Sequence, residues 1–160
     1  MDIKERILNV LRNELEPFGY RYVKSESKFK RKVDKDTIVY LYYNAGRYHR
    51  GFTTVTFYIN GDYRDLKKAM DDQCIIENTK YWHFHFGSRL QWLMPEGSTY
   101  SIWDLAFHDN ETEMVVDERL KIMALCIRTY AIPFMERLSH RNSAIEEAIA
   151  LDKRCFIDKQ

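Results

Sequence analysis

Two stretches of sequence decide the fold: TIVYLYY at residues 37–43 and FTTVTFYI at residues 52–59. Both are rich in β-branched and aromatic residues, a composition that is typical of β-strands. Because the segment between them is short, the two strands are expected to pair antiparallel. The tripeptide Asn44-Ala45-Gly46 is predicted to begin a loop, and the pair Asn60-Gly61 is predicted to end the second strand in a turn.

The elements on either side of this hairpin follow from periodicity and turn residues. Apolar residues at helical spacing predict an N-terminal helix over residues 2–16, with a capping box at Asp2 and Glu5 and a stop at Pro17 and Gly19. The other elements predicted before residue 111 are strands at 20–24, 28–33, 80–86 and 100–103, a helix at 62–72 and an irregular stretch at 87–99.

From Glu111 the sequence has helical periodicity. One apolar stripe advances in steps of three and four, as a buried helix face requires; it comprises Val116, Leu120, Met123, Ile127, Tyr130, Phe134 and Leu138. Pro133 within the stripe removes a backbone hydrogen bond and predicts a kink or a break. Ser143 and Glu146 match a second capping box, which predicts a final helix through about residue 154.

Strands followed by helices, without a linker or an internal repeat, predict a single α+β domain over residues 1–160. In this arrangement an N-terminal helix and a C-terminal helical segment pack on one face of a mostly antiparallel sheet of about five strands.

Composition excludes several classes of protein. The 160 residues include 25 Lys plus Arg and 24 Asp plus Glu, a net charge of +1, and 45% are hydrophobic, so the chain is neither disordered nor collagen-like. The near-neutral charge argues against nucleic acid as a partner, although it leaves room for a local basic patch. The charged N-terminus and the lack of a long apolar run predict a cytoplasmic protein without a membrane segment. The three cysteines lack a C-x-x-C motif and are expected to be small buried hydrophobic residues.

Alternation of side chains assigns the two faces of the predicted sheet. One face collects apolar residues and is expected to lie under the helices; its members are Val39, Leu41, Val55, Phe57, Ile59, Trp82, Phe84 and Phe86. The other face collects polar aromatic residues, namely Tyr40, Tyr42, Tyr58, Tyr81, His83 and His85. Since tyrosine combines a large contact area with a polar group, this second face is a candidate binding surface. The alternative is that the last helix or the 87–99 segment covers it.

The segment Arg47-Tyr48-His49-Arg50 adds basic and aromatic side chains at the end of two predicted strands. Such loops often bind ligands, so Arg47, His49 and Arg50 are included in the candidate surface, the alternative being a solvated turn.

His83 and His85 are the weak candidates for a metal site. They alternate on a strand, but no third ligand is predictable from the sequence, so no metal site is predicted. The alternating Lys28, Lys30 and Lys32 suit either a phosphate site or an edge strand that lysines protect from aggregation, and the edge strand is preferred. No motif for a nucleotide, a nucleophilic serine or another cofactor occurs, which favours a protein without catalytic activity and without a cofactor.

A set of short motifs resembles a bacterial family. The motifs are Phe18-Gly19-Tyr20, Phe29-Lys30-Arg31, Tyr42-Tyr43-Asn44, Phe57-Tyr58-Ile59, Trp82, Gly87 with Leu90, Trp103 and Ile132-Pro133-Phe134. Over roughly residues 1–140 the chain resembles the bacterial family domain of unknown function 4304. The resemblance implies a small bacterial α+β domain and carries no functional residues.

These observations favour a non-catalytic module that binds another protein or macromolecule, with an immunity or inhibitor protein as one concrete version. Two alternatives stay open: a small-molecule or metal-binding enzyme that uses His83 and His85, and a single-stranded nucleic-acid binder that uses Tyr40, Tyr42 and Tyr58. The sequence indicates neither the partner nor the oligomeric state.

Overall fold

The computed structural model of the protein describes residues 2–48, 51–65, 85–95, 105–147 and 150. Its elements follow in chain order: helix α1 (Ile3–Leu15), strands β1 (Arg21–Val23), β2 (Lys28–Lys32), β3 (Thr37–Tyr48), β4 (Phe52–Tyr63) and β5 (His85–Arg89), the short helix α2 (Leu90–Leu93), strand β6 (Ala106–His108), and helices α3 (Glu113–Cys126) and α4 (Ile132–Leu138). Residues 141–147 are also helical. The expected α+β class is confirmed.

The strands form one antiparallel sheet in the order β1-β2-β3-β4-β5, and β6 pairs with the other end of β4. β5 pairs with β4 at Tyr58–Asp62, whereas β6 pairs with it at Phe52–Thr54. The described part of the chain therefore has six strands instead of about five. β6 was not predicted because its three residues are too few to show an alternating pattern.

The hairpin of β3 and β4 continues past both of its predicted ends. Residues 44–46, predicted to begin a loop, pair with residues 54–56, and the predicted turn 60–61 pairs with residues 39–40. Both predictions are wrong. The strand continues because residues 60–61 pair with β3 on one side and with β5 on the other. The ring of Tyr63 lies over Gly61: a Cβ built on Gly61 would be 2.5 Å from the Tyr63 hydroxyl oxygen. An aromatic neighbour can thus replace the side-chain packing that a glycine lacks.

Several boundaries after the hairpin also differ from the prediction. Residues 62–63, predicted to begin a helix, belong to β4, and the helical residues begin at 64. Residues 87–89, predicted to be irregular, belong to β5, because their backbone pairs with residues 58–60 of β4. Outside the described residues lie the rest of the predicted helix 62–72, most of the predicted strand 80–86, the end of the 87–99 stretch, and the predicted strand 100–103.

The inner face of the sheet has the predicted composition. The five apolar residues expected there from β3 and β4 are buried: Val39, Leu41, Val55, Phe57 and Ile59. Phe86 of β5 is half-buried and its ring lies 6.4 Å from that of Phe134, centroid to centroid. Trp82 and Phe84 lie outside the described residues. Each large side chain buried in this way contributes about 1.5–3 kcal/mol, which fixes the register of the strands against the helices.

Helix α1 covers this inner face with Ile7, Leu11 and Leu15, all fully buried. The predicted capping box is wrong: Asp2 is the N-cap residue, but among the described residues its side chain makes no capping hydrogen bond. The predicted stop is confirmed, since the chain makes one 3₁₀ turn and leaves the helix at Gly19 with φ +87°. Glycine adopts this left-handed conformation without steric strain.

The C-terminal helical stripe is confirmed, with Tyr130 half-buried and the other six members buried. The proline is accommodated by a change of hydrogen bonding: a π turn, Ile127–Ala131, joins α3 to α4. Pro133 directly follows this π turn, in which the Ile132 amide donates to the carbonyl oxygen of Ile127, five residues earlier. The helical conformation therefore continues from 113 to 138 with a widened turn in place of a full break.

The last helical stretch begins at residue 141, before the predicted cap at Ser143. The Ala144 amide donates to the carbonyl oxygen of His140 at 2.9 Å, so the backbone is already helical at the predicted start. The predicted course of this helix to about 154 lies outside the described residues, apart from residue 150.

Candidate binding face

The register of four strands places polar aromatic residues and cations in adjoining rows on the outer side of the sheet. In one row Tyr42 lies between Lys28 and Tyr58, and Tyr58 pairs in turn with Arg89. In the next row Tyr40 lies between Lys30 and Asn60. We call this surface the tyrosine face and define it by Lys28, Lys30, Tyr40, Tyr42, Tyr58 and Arg89, with Trp92 of α2 beside it.

The packing of α1, α3 and α4 places these helices on the other side of the sheet. Their buried residues join Leu41 and Phe57 in one hydrophobic core, and the Tyr63 hydroxyl donates to the carbonyl oxygen of Leu138 at 2.7 Å. Tyr40, Tyr42 and Tyr58 are half-buried. The tyrosine face therefore lies opposite these three helices, as the sequence predicted.

Two cations hold the aromatic rings of the tyrosine face. The Lys28 ammonium nitrogen lies 4.5 Å from the centre of the Tyr40 ring. The Arg89 guanidinium carbon lies 5.1 Å from the Tyr58 ring centre and 5.4 Å from that of Trp92, which is 59% exposed. Each such cation–π contact is worth about 0.5–1 kcal/mol at an exposed site, and together they fix the rings in place before any ligand arrives.

The Tyr42 and Tyr58 rings lie side by side in the middle of this surface. Their centroids are 5.9 Å apart and their planes are inclined by 40°. Because the two residues are directly paired across β3 and β4, the strand spacing of about 4.8 Å sets this separation. The sheet thus presents two neighbouring rings on its two longest strands.

Among the described residues, cations outnumber carboxylates around these rings. Register places five of the described cations on this side, Arg21, Lys28, Lys30, Lys32 and Arg89, and two described carboxylates adjoin them, Glu26 and Asp62. Glu26 carboxylate oxygen lies 2.6 Å from the Lys30 nitrogen and 3.6 Å from that of Lys28. The Lys30 hydrogen bond, chiefly, lowers the pKa of Glu26. A chain of net charge +1 therefore presents a local basic patch.

The Tyr40 hydroxyl lies in a partly desolvated environment. Desolvation, aided by the charges of Asp62 and Glu26, raises the pKa of its hydroxyl above the ordinary value of 10.0. Tyr40 is therefore a neutral hydroxyl at physiological pH, able both to donate and to accept a hydrogen bond.

The structure brings together only part of the predicted site. Tyr40, Tyr42 and Tyr58 share the tyrosine face, whereas Arg47 pairs with Thr53 in a different row of β3 and β4 and forms an ion pair with Asp109 at 2.6 Å. Arg47 also lies within β3, so its assignment to a loop is wrong. Outside the described residues, or with side chains outside them, lie Tyr81, His83, His85, His49 and Arg50; the backbone of His85 pairs with Asp62.

The sequence predicted that the lysines of β2 protect an edge strand, and this prediction is wrong. β2 lies between β1 and β3: residues 28–30 pair with both strands, and residues 31–32 pair with β3. Lys28 and Lys30 instead belong to the tyrosine face. The alternating lysines were visible in the sequence, but the short strand β1 that makes β2 internal gave only a weak signal.

Arg31, which lies between these lysines in the sequence, serves a structural purpose on the inner side of the sheet. Its guanidinium donates to Glu136 at 2.8 Å, to Ser139 at 2.6 Å and to the carbonyl oxygen of Phe18, and it lies 4.6 Å from the Tyr20 ring centre. This cluster ties β2 to the C-terminal helices. Because successive side chains of a strand point to opposite faces, only Lys28, Lys30 and Lys32 of β2 lie on the side of the tyrosine face.

Arg89 and Trp92 were missed by sequence reasoning. Both fall in the 87–99 stretch that was predicted to be irregular, and an isolated Arg or Trp in a loop carries no signal of its own. The pairing of Arg89 with Tyr58, which requires β5 to extend through residue 89, brings them to the site.

Further features lie outside the tyrosine face. No three His, Cys, Asp or Glu side chains among the described residues are grouped so that they could hold a metal ion. A shallow cavity of about 310 Å³ lies between α1 and α3, lined in part by Val10, Glu14 and Leu120, on the helical side of the molecule. Cys126 is buried, as expected for a small hydrophobic residue, while Cys74 and Cys155 lie outside the described residues.

Comparison with protein-family models, curated proteins and solved structures finds no match for this chain. The resemblance to the bacterial family domain of unknown function 4304 therefore stays a prediction. In the part of the chain that is described, no helix has both the length and the hydrophobicity needed to cross a membrane.

Proposed function

We propose that this protein is a non-catalytic binding module whose tyrosine face binds an acidic macromolecule. The observation that carries the proposal is a pair of cation–π clusters on this face. Lys28 lies over the Tyr40 ring, and Arg89 lies near the rings of Tyr58 and Trp92. Aromatic and arginine side chains dominate the binding energy of many interfaces. Cations beside them attract an acidic partner over a distance and increase the rate of association.

The sign of the charge selects among the roles expected from the sequence. An inhibitor of a basic nuclease matches its target with an acidic surface, whereas the tyrosine face is basic. The proposal therefore favours a partner with exposed carboxylates or phosphates over a basic toxin. A cytoplasmic location and a bacterial origin, both expected from the sequence, belong to the same proposal.

Chromatography on immobilised heparin, a polyanion, tests the proposal. The face variant combines Lys28→Gln, Lys30→Gln and Arg89→Gln and removes three positive charges from the tyrosine face. A matched control removes three charges from the helical side by Lys4→Gln, Lys121→Gln and Arg128→Gln. Circular dichroism and thermal unfolding establish that both variants are folded.

The face variant should elute at a clearly lower salt concentration than the control, although both have the same net charge. This difference is expected because clustered cations bind a polyanion together, whereas dispersed cations do not. Identical elution of the two variants would contradict the proposal, since retention would then depend on net charge alone.

A further inference from the structure

We propose that the ligand of the tyrosine face is single-stranded nucleic acid. This inference rests on the proposed function and names the class of its partner. The rings can stack on bases, the cations can reach the phosphates, and the lysines of the face suit a nucleic acid better than a protein.

The rings of the tyrosine face are available for stacking on bases. Tyr42 and Tyr58 are neighbours at 5.9 Å, and the guanidinium carbon of Arg89 lies within 5.4 Å of the ring centres of both Tyr58 and Trp92. Three aromatic side chains thus lie on or beside this face as possible stacking partners for the bases of a single strand. Stacking on aromatic rings needs unpaired bases, whereas the bases of a duplex are stacked on each other.

The cations of the tyrosine face lie on both sides of these rings. Lys28 and Lys30 lie on β2, on one side of the tyrosines, and Arg89 lies on β5, on the other side. The guanidinium carbon of Arg89 lies 5.1 Å and 5.4 Å from the ring centres of Tyr58 and Trp92, and the N–H donors of a guanidinium suit a phosphate. Cations that flank stacking rings on both sides match the alternation of bases and phosphates in a single strand.

The lysines of the tyrosine face bear on the class of its partner. The centres of protein interfaces are depleted in lysine, whereas tyrosine and arginine are enriched there. Here Lys28 lies over the Tyr40 ring, beside the central pair Tyr42 and Tyr58. Lys30 lies next to Tyr40 in the adjoining row. The two lysines favour a nucleic acid over an acidic protein.

Fluorescence anisotropy with labelled oligonucleotides tests the inference. The oligonucleotides have about twelve nucleotides, a length within the range that small single-strand binding domains cover. The probes are oligo-dT, oligo-U and a duplex of equal length, and polyglutamate represents an acidic protein. We expect the full chain to bind the single strands at low salt and to bind the duplex and polyglutamate at least tenfold more weakly.

Substitution of the rings separates stacking from other contacts. Tyr58→Leu should weaken binding to oligo-dT by about tenfold or more, because a base loses its stacking partner. Tyr58→Phe keeps the ring and should bind within about threefold of the parent, which also shows that the site tolerates substitution while folded. The double variant Lys28→Gln, Lys30→Gln should bind with a weaker salt dependence. The slope of log affinity against log salt concentration should become shallower by about 0.7 for each phosphate contact that is lost.

Three outcomes would overturn the inference. Absence of oligonucleotide binding at low salt, with heparin retention still dependent on the tyrosine face, would reject nucleic acid while leaving the proposed function intact. Equal affinity for duplex or polyglutamate would reject single strands as the ligand. Equal losses for Tyr58→Leu and Tyr58→Phe would reject stacking. If retention on heparin also did not depend on the tyrosine face, both proposals would be rejected.

Discussion

The substitution Gly61→Ala should destabilise the protein, although alanine is ordinarily better than glycine in a strand. A Cβ at position 61 would lie 2.5 Å from the hydroxyl oxygen of Tyr63 and 2.8 Å from the ring carbon that bears it. Tyr63 is only 3% exposed and its hydroxyl donates to the carbonyl oxygen of Leu138 at 2.7 Å. The ring therefore cannot move away without losing a buried hydrogen bond.

The magnitude follows from three contributions. Overpacking of a filled interior costs about 1–3 kcal/mol. Loss of the hydrogen bond to Leu138 adds about 1 kcal/mol, while the smaller entropy of the unfolded alanine variant offsets about 0.4–1 kcal/mol. We expect a net loss of about 2 kcal/mol in the free energy of unfolding, or about 4–8 °C in Tm for a chain of this size.

Urea denaturation followed by circular dichroism measures this loss, and a second background tests its cause. In a Tyr63→Leu chain the ring is absent, so Gly61→Ala should be neutral or slightly stabilising there. If Gly61→Ala cost the same in both backgrounds, or stabilised the parent protein, the contact with Tyr63 would not explain why this glycine lies within a strand.

Three further predictions concern charges and titrating groups. Arg31→Lys should lower the free energy of unfolding in urea by about 1–2 kcal/mol, because a lysine cannot serve Glu136 and its other acceptors together; a stability equal to the parent would contradict this. Asp34→Ala should lower the Tm and Asp34→Asn should largely preserve it, because the Asp34 side-chain oxygen accepts two backbone amides at 2.8 Å; equal losses would contradict this. Burial raises the pKa of Tyr20 to about 12 from 10.0, so its contribution to the free energy of unfolding is complete below pH 10 and is lost as the pH rises toward 12. In Tyr20→Phe the urea midpoint should therefore fall less steeply with pH over this range, and a fall as steep as in the parent would contradict this.

The sequence predicted the sidedness of the sheet correctly because burial of apolar side chains is a large effect with a clear period. Alternation placed Val39 and Leu41 under the helices and Tyr40 and Tyr42 on the other side. A slip of one residue would have exchanged these sets, at a cost of about 1.5–3 kcal/mol for each exposed apolar side chain.

The boundaries of the strands could not be predicted, because they depend on contacts that a single sequence does not reveal. The pair Asn60-Gly61 has the composition of a turn, but both residues pair with β3 and β5, and the Tyr63 ring packs over Gly61. Arg89 has no local preference for a strand, and its place on the tyrosine face results from pairing with Tyr58.

The π turn was beyond sequence reasoning for a different reason. Pro133 predicts a disturbance of the helix, but several backbone arrangements satisfy that requirement. The arrangement observed keeps both Ile127 and Phe134 buried, so the packing of the stripe selects among the alternatives.

The β3–β4 hairpin can form early in folding. Only residues 49–51 separate its strands in the sequence, so their pairing requires little loop-closure entropy and can form on a microsecond scale. The helices that cover the sheet depend on contacts between distant parts of the chain, such as Arg6 with Glu113 at 2.7 Å. We therefore expect the hairpin to nucleate folding and the C-terminal helices to dock later. Tyr42 and Tyr58 would then be in register before the hydrophobic core is complete.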